Sequence, residues 1–118
     1  MPSPRQLFGS RGEDLAAAWY ESHGYELVAQ NWRCSSGEAD LIVRKAATLV
    51  ICEVKARSSD RFGSPAEAVT KTRQLRLRRT AAAYLARMAE AEERRPQVVR
   101  FDVACVIGEV VELIEAAF

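Results

Sequence analysis

One segment decides how this chain of 118 residues folds: Thr48-Leu49-Val50-Ile51-Cys52-Glu53-Val54-Lys55-Ala56. It is nearly continuous in apolar and β-branched residues as far as Glu53, which is typical of a central strand buried on both faces. Side chains alternate between the two faces of a strand, so Glu53 and Lys55 are expected to project to the same side of the sheet. Two oppositely charged groups therefore share one face of an otherwise apolar strand.

The preceding segment brings a second acid to this strand. Residues Glu38 to Arg44 predict a neighbouring strand, and only three residues separate it from Thr48, so an antiparallel hairpin is the natural connection. With a suitable hairpin register, Asp40 and Glu53 meet across the two strands at about 5 Å, with Lys55 alongside. The pattern predicts a cluster of two carboxylates and one ammonium group.

Such a cluster has the composition of a hydrolytic metal site. Charged groups are costly to bury unless their charges balance, and carboxylate oxygens suit Mg²⁺ or Mn²⁺. The metal polarises a phosphate and lowers the pKa of a bound water, while a lysine orients or deprotonates that water. Asp40, Glu53 and Lys55 are therefore candidate catalytic residues for phosphodiester hydrolysis. The alternative is a strand-end acid at Asp40, with Glu53 and Lys55 on a solvated face.

The flanking segments predict helices. A first helix from about 11 to 23 follows a capping box that begins at Ser10, and Gly24 stands where a C-terminal cap belongs. A second helix from 65 to about 92 begins after an N-cap at Ser64 and carries an apolar stripe.

The remaining segments predict strands and one exposed loop. The order α-β-β-β-α-β-β gives a single α/β domain spanning residues 1–118, with helices packed on a mixed sheet. The predicted loop is Ser58 to Pro65, and the predicted strands are Tyr25 to Trp32, Glu38 to Arg44, Thr48 to Ala56, Val98 to Ile107 and Val110 to Ile114.

Composition limits the classes of protein. With 48% hydrophobic and 28% charged residues the chain is globular rather than disordered. Its apolar runs are far shorter than the roughly 20 residues of a membrane-spanning helix, and the N-terminus has no secretory signal, so we expect a cytoplasmic protein without a membrane partner. Three widely spaced cysteines predict neither a disulfide framework nor a zinc knuckle, and we expect Cys52 and Cys105 in the core.

Basic residues are concentrated on the second predicted helix. Six of the 17 basic residues fall between Lys71 and Arg87, and the stretch from Thr70 to Met88 contains no acid. A ridge of basic residues about one turn apart can track nucleic-acid phosphates, although an ordinary solvated helix face is the alternative. The candidate nucleic-acid-binding residues, including two that follow the central strand, are Arg57, Arg61, Lys71, Arg73, Arg76 and Arg79.

These segments resemble a known nuclease signature. Residues 37–42, Gly-Glu-Ala-Asp-Leu-Ile, followed by residues 50–57, Val-Ile-Cys-Glu-Val-Lys-Ala-Arg, are similar to the PD-(D/E)xK signature of restriction-endonuclease-like nucleases. The chain departs from it in having Ala39 where the signature names proline, and Cys52 where an apolar residue is usual.

The whole chain resembles the bacterial YraN-like family, relatives of archaeal Holliday-junction resolvases. Beyond the signature, the resemblance extends from Gly9-x-x-Gly12-Glu13 through Asn31-x-Arg33, Phe62-Gly63-x-Pro65-x-Glu67-Ala68-Val69, Lys71 and Arg100-Phe101-Asp102-Val103 to Ala117-Phe118. It implies a restriction-endonuclease-like mixed β-sheet flanked by helices, with Asp40 and Glu53 as metal-binding acids and Lys55 as the signature lysine. Glu13 matches the first-helix acid that completes the site in the resolvase relatives, whereas the residues alone favour a capping role for it.

The predicted function is a Mg²⁺- or Mn²⁺-dependent DNA endonuclease, structure-selective on branched DNA. The alternatives are a nucleic-acid-binding protein that keeps the fold without cleaving, and an interaction module with a structural acidic cluster. Cutting both strands of a symmetric junction requires two active sites, so the analogy with resolvases favours a homodimer.

Overall fold

A mixed β-sheet lies between two helices. The computed structural model describes residues 4–57 and 69–118, with side chains from residue 11 onward, and within these ranges the sheet has five strands in the order β1-β2-β3-β4-β5. Strands β3 and β4 are parallel, and the other neighbours are antiparallel. The predicted α/β class and element order are confirmed by these elements: α1 (Pro4–Ser22), β1 (Glu26–Cys34), β2 (Gly37–Lys45), β3 (Thr48–Arg57), α2 (Lys71–Glu90), β4 (Val98–Ile107) and β5 (Val110–Ile114).

The central strand β3 is buried on both faces, as its sequence predicts. Leu49 and Ile51 pack in one hydrophobic cluster with Tyr84 of α2. Val50 and Cys52 pack in a second cluster with residues of α1, including Ala16 and Tyr20. The alternation of β3 therefore sends successive side chains to opposite layers, and the predicted core positions of Cys52 and Cys105 are confirmed.

Two tight hairpins flank the parallel pair. In the β2–β3 hairpin Lys45 pairs with Thr48, which leaves a two-residue turn in which Ala46 has a φ of 52°. In the β4–β5 hairpin Ile107 pairs with Val110, and Gly108 has a φ of 61°. The predicted β2–β3 hairpin is confirmed, and its turn fixes the register of the two strands that carry the candidate acids.

The start of α1 differs from the prediction. The helix begins at Pro4, so Ser10 lies inside it and the predicted capping box is wrong. Proline suits a first helical turn because the N–H that it lacks has no partner there. The predicted end is confirmed, because Gly24 has a φ of 85° and the Tyr25 N–H donates to the Tyr20 carbonyl at 3.0 Å.

Helix α2 also starts later than predicted. Its N-cap is Thr70, whose Oγ1 accepts from the Arg73 N–H at 3.2 Å, and its first helical residue is Lys71. A continuous helix from residue 65 is therefore wrong, whereas Ser64 itself and the predicted loop 58–65 lie outside the described residues. Threonine at residue 70 satisfies the backbone donor that a longer helix would have satisfied internally.

A close contact between α1 and β3 positions the first-helix acid. A Cβ atom on Gly12 would lie 3.3 Å from the Ala56 Cβ and 3.7 Å from the Val54 Cγ1. The helix can approach the sheet this closely because residue 12 has no side chain. Glu13 is the next residue of this closely packed part of α1.

A buried polar network ties α1, β4 and the C-terminal segment together. The fully buried carboxylate of Asp102 accepts from the Arg100 Nε and Nη2, each at 2.8 Å. It also accepts from the Tyr20 hydroxyl at 2.7 Å and the Ala116 N–H at 3.0 Å. Four donors thus satisfy one buried carboxylate, as burial of a charge requires.

Neither of the helices in the described ranges combines the length and the apolar character that crossing a bilayer requires.

Candidate active site

The candidate acids lie where two strands of the sheet separate. The antiparallel ladder of β2 and β3 ends at the pair Leu41 and Cys52. The next residues in the same register are Asp40 and Glu53. Beyond this point β2 continues alongside β1, and β3 continues alongside β4, where Glu53 pairs with Val103. The separating strands form a fork with one carboxylate on each branch.

Asp40 is bonded directly across the fork. Its Oδ2 accepts from the Val54 backbone N–H at 2.8 Å, so the carboxylate takes the place of a strand partner. Burial, together with the negative charge of Glu53, raises the pKa of Asp40 to about 7, although the Val54 N–H opposes this rise. The negative charge of Glu53 therefore adds to the effect of burial and favours the protonated form of Asp40.

The Glu53 side chain is almost completely buried and forms salt bridges with two basic side chains. It is 3% exposed, and the Lys55 Nζ lies 3.6 Å from its Oε1. The Nη2 of Arg73, from α2, donates to the two carboxylate oxygens at 2.9 and 3.1 Å. The expected placement of Glu53 and Lys55 on one side of the strand agrees with this geometry, and a guanidinium group from α2 is added to it.

Glu13 reaches the same region from α1. It is 8% exposed, and its Oε2 is buried without a hydrogen-bond partner. Burial is the main cause that raises the pKa of Glu13, and the charges of Glu38 and Glu53 add to the rise. The capping role does not apply, because residue 13 lies inside the helix. The structure therefore brings Glu13 into the electrostatic environment of the fork.

Asn31 lies beside Glu13 and was not among the predicted site residues. A side-chain hydrogen bond from Asn31 opposes the rise in the pKa of Glu13. Its φ is 53°, a conformation that few residues other than glycine and asparagine adopt. A single asparagine inside a strand-like segment is a weak signal for such a position.

The strand alternation is interrupted beside Asp40. On β1, Ala29 and Trp32 are three residues apart yet pack against the same cluster. On β2, Ala39 and Ile42 do the same. A regular strand would send residues three apart to opposite faces. The alternation of side chains changes face at Asn31 on β1 and at residues 40–41 on β2. These positions lie beside the hydrogen bond from the Val54 N–H to the Asp40 carboxylate.

The donor set has the chemistry of a hard-cation site. Glu13, Asp40 and Glu53 offer carboxylate oxygens, which Mg²⁺ and Mn²⁺ prefer. An unpartnered buried oxygen on Glu13 and the raised pKa of Asp40 are both features that a bound cation would relieve. Within the described residues no three such groups are already arranged to hold a metal ion, and Arg73 contacts both oxygens of Glu53. The residues fit a divalent cation provided that Arg73 moves.

The candidate nucleic-acid-binding residues fall into different environments. Lys71, Arg76 and Arg79 are exposed on α2, whereas Arg73 turns toward Glu53, so the three arginines do not form one continuous ridge. Arg57 is half-buried at the end of β3, and Arg61 lies outside the described residues. Phosphate binding by these residues stays a prediction.

Asp40 should make the stability of the metal-free protein depend on pH. Because the pKa is raised to about 7 in the folded chain, folding takes up a proton between about pH 4 and pH 7. The contribution of Asp40 to the free energy of unfolding is therefore fully present below about pH 4 and is lost as the pH rises through about 7. We expect a loss on the order of 2 kcal/mol, after allowance for partial exposure to solvent.

Urea unfolding at about pH 5 and about pH 8, for the wild-type protein and for Asp40→Asn, measures this contribution. At each pH, the difference in the free energy of unfolding between the wild-type protein and Asp40→Asn gives the contribution of Asp40. The contributions of Glu13 and the other acids are common to both proteins and cancel. A difference that is the same at both pH values would show that the folded carboxyl titrates normally.

The fold and the site define a class: a mixed α/β protein with acids at a fork in its sheet, an architecture compatible with a restriction-endonuclease-like fold. The chain belongs to the uncharacterised protein family UPF0102, whose sequence profile matches residues 12–106. The matched range contains Glu13, Asp40, Glu53 and Lys55.

Relatives described as UPF0102 proteins occur in several bacteria. The chain is 46% identical over 103 residues to one from Beutenbergia cavernae, covering 87% of this chain and 84% of the relative. It is 48% identical over 104 residues to one from Nocardia farcinica, covering 87% and 78%. It is 39% identical over 127 aligned positions to one from Acidothermus cellulolyticus, covering 98% and 96%.

Proposed function

We propose that this chain is a divalent-metal-dependent endonuclease that hydrolyses phosphodiester bonds in DNA. The observation that carries the proposal is the fork, where Asp40 and Glu53 follow the last pair of the β2–β3 ladder and Lys55 lies 3.6 Å from Glu53. An ammonium group beside two carboxylates, the buried Glu53 and the half-buried Asp40, is suited to binding a metal and a phosphate together.

The proposed roles follow from the position of each side chain. Asp40, Glu53 and Glu13 would hold Mg²⁺ or Mn²⁺, which supplies Lewis-acid activation and an acidified water when bound. Lys55, one third exposed, would orient or deprotonate the attacking water and stabilise charge that develops on the phosphate. The exposed Lys71, Arg76 and Arg79 would contact the nucleic-acid backbone.

The proposal includes the finer features implied by the sequence resemblance. The site would be of the PD-(D/E)xK type, with preference for branched DNA as in Holliday-junction resolvases. Two such sites in a homodimer would cut both strands of a symmetric junction, and the molar mass in solution tests this directly. The proposed location is the cytoplasm, where the three free thiols would remain reduced.

The test is a cleavage assay with Mn²⁺ and with Mg²⁺ on a panel of linear, flapped and four-way DNA. We expect cleavage of branched substrates by the wild-type protein and loss of more than about 100-fold in Asp40→Ala and Glu53→Ala. Glu112→Ala removes an exposed acid on β5 and serves as the matched control. Cleavage that survives both site substitutions, or that never occurs, would contradict the proposal.

A second candidate function is binding to nucleic acid without cleavage. It is favoured by one observation, the hydrogen bonds that the Arg73 Nη2 donates to both carboxylate oxygens of Glu53. The same panel separates the two functions, because binding that weakens steeply with salt and yields no cut supports this second candidate.

A further inference from the structure

Arg73 occupies the carboxylate that the metal would need. Its backbone N–H is fixed by the Thr70 cap at 3.2 Å, and its Nη2 bridges the two oxygens of Glu53 at 2.9 and 3.1 Å. The Nε of the same side chain is buried without a partner. The side chain is nevertheless 36% exposed, so a change of rotamer would bring it to solvent.

Among the described residues, the basic side chains that form salt bridges near the fork contact one of its three acids, Glu53. Glu53 has both Arg73 and Lys55 within salt-bridge distance. The salt bridges of the described side chains place no cation on Asp40 or on Glu13, although burial and neighbouring acids raise the pKa of each. A divalent ion shared by the three carboxylates would balance this charge, and two positive groups on Glu53 would then repel it.

We propose that Arg73 alternates between two anions: it binds Glu53 in the metal-free protein and binds a nucleic-acid phosphate once metal has taken Glu53. A guanidinium group recognises carboxylate and phosphate with the same pair of N–H donors, so the exchange conserves its hydrogen bonds. The exposed Arg76 lies three residues after Arg73, about one turn along α2, so a phosphate held by Arg76 would be within reach of Arg73 once it leaves Glu53. This inference rests on the proposed function.

Alternation makes metal and nucleic acid bind cooperatively. A phosphate that takes Arg73 removes the competitor for Glu53, and a metal that takes Glu53 frees Arg73 for the phosphate. By linkage the two effects are equal, and allosteric factors of this kind are typically about 5- to 150-fold. Removal of the guanidinium should therefore tighten the binding of metal alone and abolish the cooperativity.

The experiment measures Mn²⁺ affinity by calorimetry for the wild-type protein, Arg73→Gln and Arg87→Gln. Arg87 lies on the same helix, about 21 Å further along, so its substitution makes the same change in charge away from the fork. We expect Arg73→Gln to bind Mn²⁺ about tenfold more tightly than the wild-type protein, and Arg87→Gln to match the wild-type protein. Arg73→Lys, which keeps the charge without the paired donors, should fall between them and covers the case in which Arg73→Gln does not fold.

A second titration adds a short branched DNA in a Lys55→Met background, in which cleavage is expected to be slower by about 100- to 10,000-fold. DNA should tighten Mn²⁺ binding about tenfold with Arg73 present and leave it unchanged with Arg73→Gln. Unchanged or weaker Mn²⁺ affinity in Arg73→Gln, with binding still dependent on Glu53, would overturn the alternation and leave the metal site standing. Absence of Mn²⁺ binding in both the wild-type protein and Arg73→Gln would overturn the proposed function together with this inference.

Discussion

Replacement of Lys55 by methionine is expected to slow metal-dependent cleavage of DNA by about 100- to 10,000-fold. Methionine keeps the length and the apolar stem of the side chain and removes only the ammonium group. The Lys55 Nζ lies 3.6 Å from the Glu53 Oε1, and the side chain is one third exposed. Its loss leaves the carboxylates in place and removes the group that would accept a proton from the attacking water or place a positive charge beside the phosphate. Single-turnover rates on a flapped or four-way DNA measure the effect.

Lys55→Arg distinguishes the two roles of the lysine. Arginine keeps the positive charge but does not give up its proton in proteins, so it supports electrostatic stabilisation and not general-base catalysis. If Lys55 acts chiefly through its charge, Lys55→Arg should retain part of the rate that Lys55→Met loses. Equal loss in both variants indicates proton transfer, and unchanged cleavage in Lys55→Met would remove the lysine from the mechanism.

The second large effect is expected on stability. Asp102→Ala should lower the free energy of unfolding by about 3–5 kcal/mol, because it removes the carboxylate that four donors share and leaves the largely buried Arg100 guanidinium with the exposed Glu115 carboxylate at 3.8 Å. Arg100 is 19% exposed and loses two hydrogen bonds, and the Tyr20 hydroxyl and the Ala116 N–H each lose an acceptor. Urea unfolding monitored by circular dichroism measures the loss, with Asp14→Ala as a control at an exposed aspartate.

A double variant tests whether the stability lost in Asp102→Ala comes from leaving Arg100 without the Asp102 carboxylate. When both members of a buried ion pair are replaced by apolar residues, stability often recovers. Arg100→Met combined with Asp102→Leu should therefore be more stable than Asp102→Ala. A loss below about 1 kcal/mol in Asp102→Ala would mean that water or another group replaces the missing carboxylate.

The strands were predictable from the sequence because their signals are local. The apolar run that ends at Glu53 and the three-residue connection before Thr48 identify a buried strand and its hairpin. The sequence left the hairpin register open, and in the structure the two-residue turn sets it so that Asp40 and Glu53 are the next residues after the last pair of the ladder.

Contacts between distant segments were not predictable in the same way. Arg73 looks like one member of a basic ridge in the sequence, and only the packing of α2 against the sheet turns it to Glu53. The network around Asp102 joins residues 82 positions apart, and no local pattern encodes such a pair. The helix starts were misplaced because Ser10 and Ser64 carry capping signals as good as those of Pro4 and Thr70.

The parallel pairing of β3 with β4 bears on how the chain folds. Each pair in that ladder joins positions 50 residues apart, from Thr48 with Val98 to Arg57 with Ile107, whereas the β2–β3 hairpin closes over two residues. Loop-closure entropy delays distant pairings, so the hairpin should form early and the parallel ladder late. The hairpin that carries Asp40 and Glu53 would then be in place before β4 completes the sheet.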